Sequence, residues 1–80
     1  MKLNEGIIGG TYKVTSIMVG EKITRRLEAL GVNEQTNITI LNKKGSGSLI
    51  IKVRGTRLAL GKQISERIAV EEAQQNGTKE

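Results

Sequence analysis

The chain has 80 residues, a formal charge of +5 and a pI near 9.9, with 36% hydrophobic and 26% charged residues. That suffices for one domain with one modest core, in a composition too apolar for a disordered chain. It has no cysteine, no histidine and a single aromatic, Tyr12. Disulfides, thiolate chemistry and imidazole catalysis are therefore excluded, and the core must be aliphatic. The positive balance suits nucleic acid, an anionic membrane surface or an acidic protein partner, and equally an ordinary solubilising surface.

The opening MKLNEGIIGG has no hydrophobic signal core, and no window approaches the roughly 20 apolar residues of a membrane span. A cytoplasmic location is the expectation. Residues 1–10 read as a lead-in, with Ile7 and Ile8 as apolar anchors and Gly9-Gly10 as a break. Thr11 to Met18 is β-branched and strand-like, with Tyr12 and Val14 on one face until the alternation drifts near Ile17 and Met18.

Glu21 to Val32, EKITRRLEALGV, is the one convincing helix. Ile23, Leu27 and Leu30 fall at i, i+4 and i+7 and are expected in the core. Glu21 can pair with Arg25 at i, i+4. Gly31 sits where a helix ends in a left-handed residue, and Val32 falls where it packs back on Leu27. Asn33 to Gln35 reads as a turn.

Thr36 to Lys43, Ser48 to Arg54 and Arg57 to Leu60 read as three further strands. Gly55-Thr56 fits a tight type II′ hairpin turn, which places Arg54 opposite Arg57 and Val53 opposite Leu58. Ile40 pairs with Ile51 across the Lys44–Gly47 turn, and Leu41 and Ile50 become neighbours on the outward face. The Glu21–Gly31 helix is expected to cover that pair, or else they form a contact patch. Gly61 to Glu66 is a single helical turn that tucks Ile64 inward, and Arg67 to Glu71 is a last strand. Residues 1–72 read as one mostly β domain, a small five-stranded barrel with an inserted α-helix. Residues 73–80 are expected to be a disordered polar tail.

Catalytic chemistry has little to work with. The acidic residues are all glutamates, and no serine has a base to activate it. Glu66, Glu71 and Glu72 lie near one another with Arg67 among them, which favours a solvated surface over a metal site. Gly45-Ser46-Gly47 and Gly61-Lys62 read as turns, not phosphate loops, because neither has a phosphate loop's spacing. Lys52, Arg54, Arg57 and Lys62 gather on the third and fourth strands, so a free-standing nucleic-acid-binding module is the alternative function. Only Tyr12 could stack a base, which makes nucleic acid the less favoured partner.

The order of pieces resembles the FeoA family, the small SH3-like cytosolic proteins of bacterial ferrous iron uptake. The resemblance rests on the lead-in glycines with TYKVTSI, then RRLEALGV, TNITIL, GSLIIKVRGTRLALG and ERIAV. It covers nearly all of residues 3–71. Asn33-Glu34-Gln35 departs from the proline-glycine type of turn frequent in the family at that point. The resemblance implies an SH3-like barrel and a non-enzymatic binding role. It implies as partner the FeoB-like membrane transporter with its cytosolic G domain, and a location at the inner face of the membrane through that partner. Fe(II) would be associated through the transporter, with no resident cofactor or metal in this chain. The partner contact is expected on Lys22, Arg25 and Arg26 of the helix, on outward Leu41 and Ile50, and on Arg54 and Arg57. Self-association is the other use such a patch allows.

Overall fold

The computed structural model describes residues 1–73. Five strands form one antiparallel sheet: β1 (Thr11–Ile17), β2 (Asn37–Lys43), β3 (Leu49–Val53), β4 (Thr56–Leu60) and β5 (Ile68–Glu72), in the order β4-β3-β2-β1-β5. Helix α1 (Glu21–Ala29) is inserted between β1 and β2, and a single turn, α2 (Lys62–Ser65), joins β4 to β5. This is the expected SH3-like architecture. The sheet curls around one core, aliphatic except for Tyr12, with side chains from every strand: Tyr12 and Val14, Ile38 and Ile40, Leu49, Ile51 and Val53, Leu60, and Ile68 and Val70.

The lead-in does more than sequence reading assigned it. Its anchor is Leu3, fully buried on a 3-10 turn at Leu3–Glu5, whereas Ile7 and Ile8 are 68% and 56% exposed. Lys2 bridges to Ala69, and the Met1 carbonyl accepts the Val70 N–H at 2.8 Å, so the chain start covers the free edge of β5. Further on, Gly9 N–H donates to the Ile40 carbonyl at 2.7 Å and Ile40 N–H to the Gly10 carbonyl at 3.0 Å. Between these points Gly6 crosses the core surface. A Cβ there would sit 2.6 Å from Ile40 Cδ1 and 2.7 Å from the Tyr12 ring, so only glycine fits.

Two β-bulges shape the strands. One falls between Val14 and Ser16 on β1, just ahead of Ile17 and Met18, where the alternation drifts in the sequence. The other falls between Ile40 and Asn42 on β2. Ile40 faces Ile51 as expected, but Asn42 takes the place opposite Ile50 and Leu41 becomes the extra residue.

The β3–β4 hairpin corrects the expected register. Val53 pairs with Thr56, Lys52 with Arg57, Ile51 with Leu58 and Leu49 with Leu60. The turn residues are therefore Arg54 and Gly55, at φ 53° and 80°, the two positive angles of a type I′ turn. The expected and observed registers differ by an even number of residues, so both keep the apolar side chains inward. Turn geometry decided between them, and the like-charge pair is Lys52–Arg57, not Arg54–Arg57.

The last turn of α1 closes as its sequence suggests. Val32 N–H donates to the Leu27 carbonyl at 2.8 Å and Gly31 N–H to the Glu28 carbonyl at 3.0 Å, a Schellman closure with Gly31 at φ 98°. Leu27 and Val32 are both core residues. Leu30 is not: it caps the helix and is 44% exposed, because the chain reverses there and Val32 takes the inward place. The Asn33–Gln35 turn is left-handed at Gln35, φ 75°, with Gln35 N–H held by the Val14 carbonyl at 2.7 Å. At the other end, β5 runs through Glu72, and Ala73 N–H still donates to the Thr11 carbonyl at 3.1 Å. The ordered sheet contact thus reaches one residue into the expected tail, whose remainder, 74–80, lies outside the described residues.

Candidate partner-contact surface

The residues singled out in the sequence fall into two groups. On α1, Ile23 and Leu27 face inward, and Lys22, Arg25 and Arg26 are exposed. Arg25 is committed locally, with its guanidinium 2.8 Å from the Glu21 carboxylate. Among the described residues neither Lys22 nor Arg26 has a carboxylate partner. Lys22, Arg26 and Leu30 are spaced four apart and so run along one flank of the helix. Arg54 joins this group from the β3–β4 turn. A Cβ on Gly31 would meet its Cδ at 3.0 Å, so the Arg54 side chain lies over the helix end.

The second group lies on the outward face of β2, β3 and β4. Leu41 and Ile50 are both half-buried and stand outside the core cluster. The expected cover by α1 does not describe their place. The inward side of that helix is Ile23 and Leu27, which pack on the core. Ile50 pairs with Ala59, and one step along, Lys52 pairs with Arg57. Two unneutralised cations thus sit beside a small aliphatic patch, with neither Lys52 nor Arg57 ion-paired among the described residues. Like charges directly opposite on two strands repel, a tension that an anionic partner would relieve.

Tyr12 is unavailable as a stacking platform. It is 4% exposed, its hydroxyl accepts the Ile7 N–H at 2.9 Å, and Gly6 and Gly10 lie flush against its ring. The alternative nucleic-acid reading loses its only aromatic. Sequence reasoning also missed a shallow groove of about 230 Å³ between α1 and α2, walled by Met18, Val19, Ile23 and Ile64 with Gln63 and Arg67. Its residues come from separate segments whose approach no local pattern reveals. Among the described residues, no three His, Cys, Asp or Glu side chains cluster as metal ligands. Among the described residues, no helix is long and apolar enough to cross a membrane.

Comparison with known proteins places these observations. No curated protein matches the chain. Among solved structures, it is similar to an iron uptake regulatory protein, FeoA, with 29% identity and TM-score 0.83 over 91% of this chain and 97% of that one. It is similar to a FeoA-like protein from Clostridium acetobutylicum, with 30% identity and TM-score 0.78 over 95% and 90% of the two chains. It is also similar to the zinc complex of Stenotrophomonas maltophilia FeoA, described as a prokaryotic SH3 domain protein, with 26% identity and TM-score 0.74 over 89% of each chain. The FeoA domain family model matches residues 1–72, and the chain belongs to the FeoA family.

Proposed function

We propose that this chain is a non-enzymatic accessory protein of bacterial ferrous iron uptake that binds the cytosolic part of a FeoB-like membrane transporter. The observation that carries this reading is the family match over residues 1–72. The similar proteins support it: one is described as an iron uptake regulatory protein, and that of S. maltophilia as a candidate activating factor for ferrous iron transport. The chain works in the cytoplasm, at the inner face of the membrane through its partner.

The contact uses the two exposed basic groups. Lys22 and Arg26 form a cationic flank along α1, and Arg54 lies over its C-terminal end. Leu41 and Ile50 supply apolar area next to Lys52 and Arg57. Arg25 contributes less, because Glu21 already holds it. Such a surface suits an acidic face with an apolar centre, where charge sets approach and apolar burial sets residence. Iron is the cargo of the partner and is not held by this chain. Titrating the transporter's cytosolic domain into the wild type and into Arg26→Glu and Ile50→Asp tests the reading. Unchanged affinity in both variants would remove these residues from the contact.

A further inference from the structure

We propose that the outer edge of β4 takes up an extended acidic protein segment as a further, antiparallel strand, with a carboxylate set against Arg57 and Lys52. The two ends of the sheet differ. The edge of β5 is covered by the chain start, through the Lys2–Ala69 bridge and the Val70 N–H on the Met1 carbonyl. β4 pairs only with β3, and among the described residues no backbone hydrogen bond reaches its other side. Strand addition gives the proposed transporter contact its form, and it rests on that reading only for the identity of the protein that supplies the segment.

The hairpin register decides which groups are free. In a two-residue hairpin the pair flanking the turn exchanges both N–H···O bonds, and such pairs alternate with unbonded ones. Val53–Thr56, Ile51–Leu58 and Leu49–Leu60 are thus the bonded pairs of β3 and β4. The N–H and C=O groups of Arg57 and Ala59 therefore point away from β3, to the outer edge. Both residues are exposed, and neither has a backbone partner there among the described residues. These main-chain donors and acceptors, spaced along one strand, form a template for another.

Charge selects what can pair there. Arg57 stands opposite Lys52 on the outward face, beside the Ile50–Ala59 pair, and neither cation has a carboxylate partner among the described residues. A second copy of this chain, itself carrying +5, would bring another such cationic pair to the edge. Charged side chains on an edge strand discourage self-pairing in this way. An incoming strand with a glutamate opposite Arg57 reverses the sign of that interaction. Its residue opposite Ala59 meets a single methyl, so a β-branched side chain fits. Its residue opposite Leu58 points inward and adds apolar cover to a side chain that the core only partly buries. Read from its N-terminus, the segment is therefore apolar, apolar, acidic.

The test titrates the isotope-labelled full chain with the end-blocked peptide Thr-Val-Leu-Glu-Thr, followed by backbone amide shifts. Saturable shifts are expected along β4 and at Lys52. The same peptide with lysine in place of glutamate should bind at least about fivefold more weakly. N-methylation separates a paired strand from a loose contact between charges. On the glutamate amide it removes a donor to the edge and should weaken binding by about tenfold or more. On the leucine amide, which faces away from β4, it should change affinity by less than about threefold. Ala59→Pro should abolish binding from the protein side, since the fold does not use the lost N–H. Arg57→Glu should exchange the preference and favour the lysine peptide. Amide dispersion elsewhere reports that each variant is folded, and the N-methyl comparison needs no variant. No saturable shift, equal affinity of the glutamate and lysine peptides, or equal weakening by the two N-methyl groups would each overturn the proposal. So would shifts on β4 that grow with protein concentration alone, which would assign the edge to a second copy. A transporter domain that binds while the peptide does not would leave the proposed function standing without the added strand.

Discussion

The side chain of Arg54 lies across Gly31, bringing the β3–β4 turn onto the end of α1, and both residues hold positive φ angles. The inserted helix is thereby attached to the barrel at two kinds of contact. Leu27 and Val32 hold it from inside the core, and Arg54 closes over its last residue from outside. Gly31→Ala should therefore cost about 1–2 kcal/mol from the left-handed angle, with a steric cost added. Chemical denaturation measures the loss. Adding Arg54→Gly to that variant should return the steric part and leave the angular part, a coupling that a double-mutant cycle reads directly.

Arg54 is an unfavourable turn residue, since a type I′ turn prefers asparagine or glycine at a left-handed position. Arg54→Asn should stabilise the fold by about 0.5–1 kcal/mol. If Arg54 belongs to the partner contact, the same variant should bind the transporter domain more weakly. Opposite changes in melting temperature and affinity would mark a residue kept for binding at a cost in stability. Parallel changes would count against that role.

The two leucines of α1 should respond differently to truncation. Leu27→Ala removes a fully packed core side chain and should cost about 2–5 kcal/mol. Leu30→Ala touches an exposed cap residue and should change stability by less than about 0.5 kcal/mol. Leu30→Ala is thus available as a binding probe that leaves the fold intact, and a large loss of stability would contradict the observed cap.

The lead-in is held by Tyr12. Tyr12→Phe removes the acceptor of the Ile7 N–H and should cost about 1 kcal/mol. Gly6→Ala drives a methyl into Ile40 and the Tyr12 ring and should cost about 1–3 kcal/mol through overpacking. Faster amide exchange at Ile7 in the first variant would confirm that the bond, and not the ring, was lost.

The sequence was most legible where the signal is local. The α1 cap, the curl of the sheet and the inward faces of β2, β3 and β5 follow from periodicity and glycine placement. What it left open is equally physical. Alternation fixes which face of a strand is buried but tolerates any even slip, so the hairpin register waited on the Arg54-Gly55 turn. A bulge displaces one residue without disturbing the pattern beyond it, so Leu41 was assigned a partner that Asn42 holds. Leu3 looked like one more apolar residue in a polar lead-in, because its burial depends on contacts distant in sequence. For the same reason the groove between α1 and α2 was invisible: Met18, Ile23 and Ile64 come from separate segments. Of the expected contact residues, Arg26 lies in the last turn of α1 and Arg54 over Gly31 just beyond it, Lys22 lies in the first turn, and Arg25 is engaged by Glu21.

Fe(II) offers a check on the proposed division of labour between this chain and a transporter partner. A specific site saturated 100-fold above its Kd would add about 2.7 kcal/mol to stability. Under anaerobic conditions Fe(II) is expected to leave the melting temperature where it was. A saturable rise would assign iron to this chain.

The most direct test of the account is calorimetric titration of the transporter's cytosolic domain into this protein, with and without guanine nucleotide. Saturable one-to-one binding is predicted, weakened at least tenfold by Arg26→Glu or Ile50→Asp in variants whose melting temperature is unchanged. No binding heat by the wild type under either nucleotide condition, with both proteins folded, would contradict it.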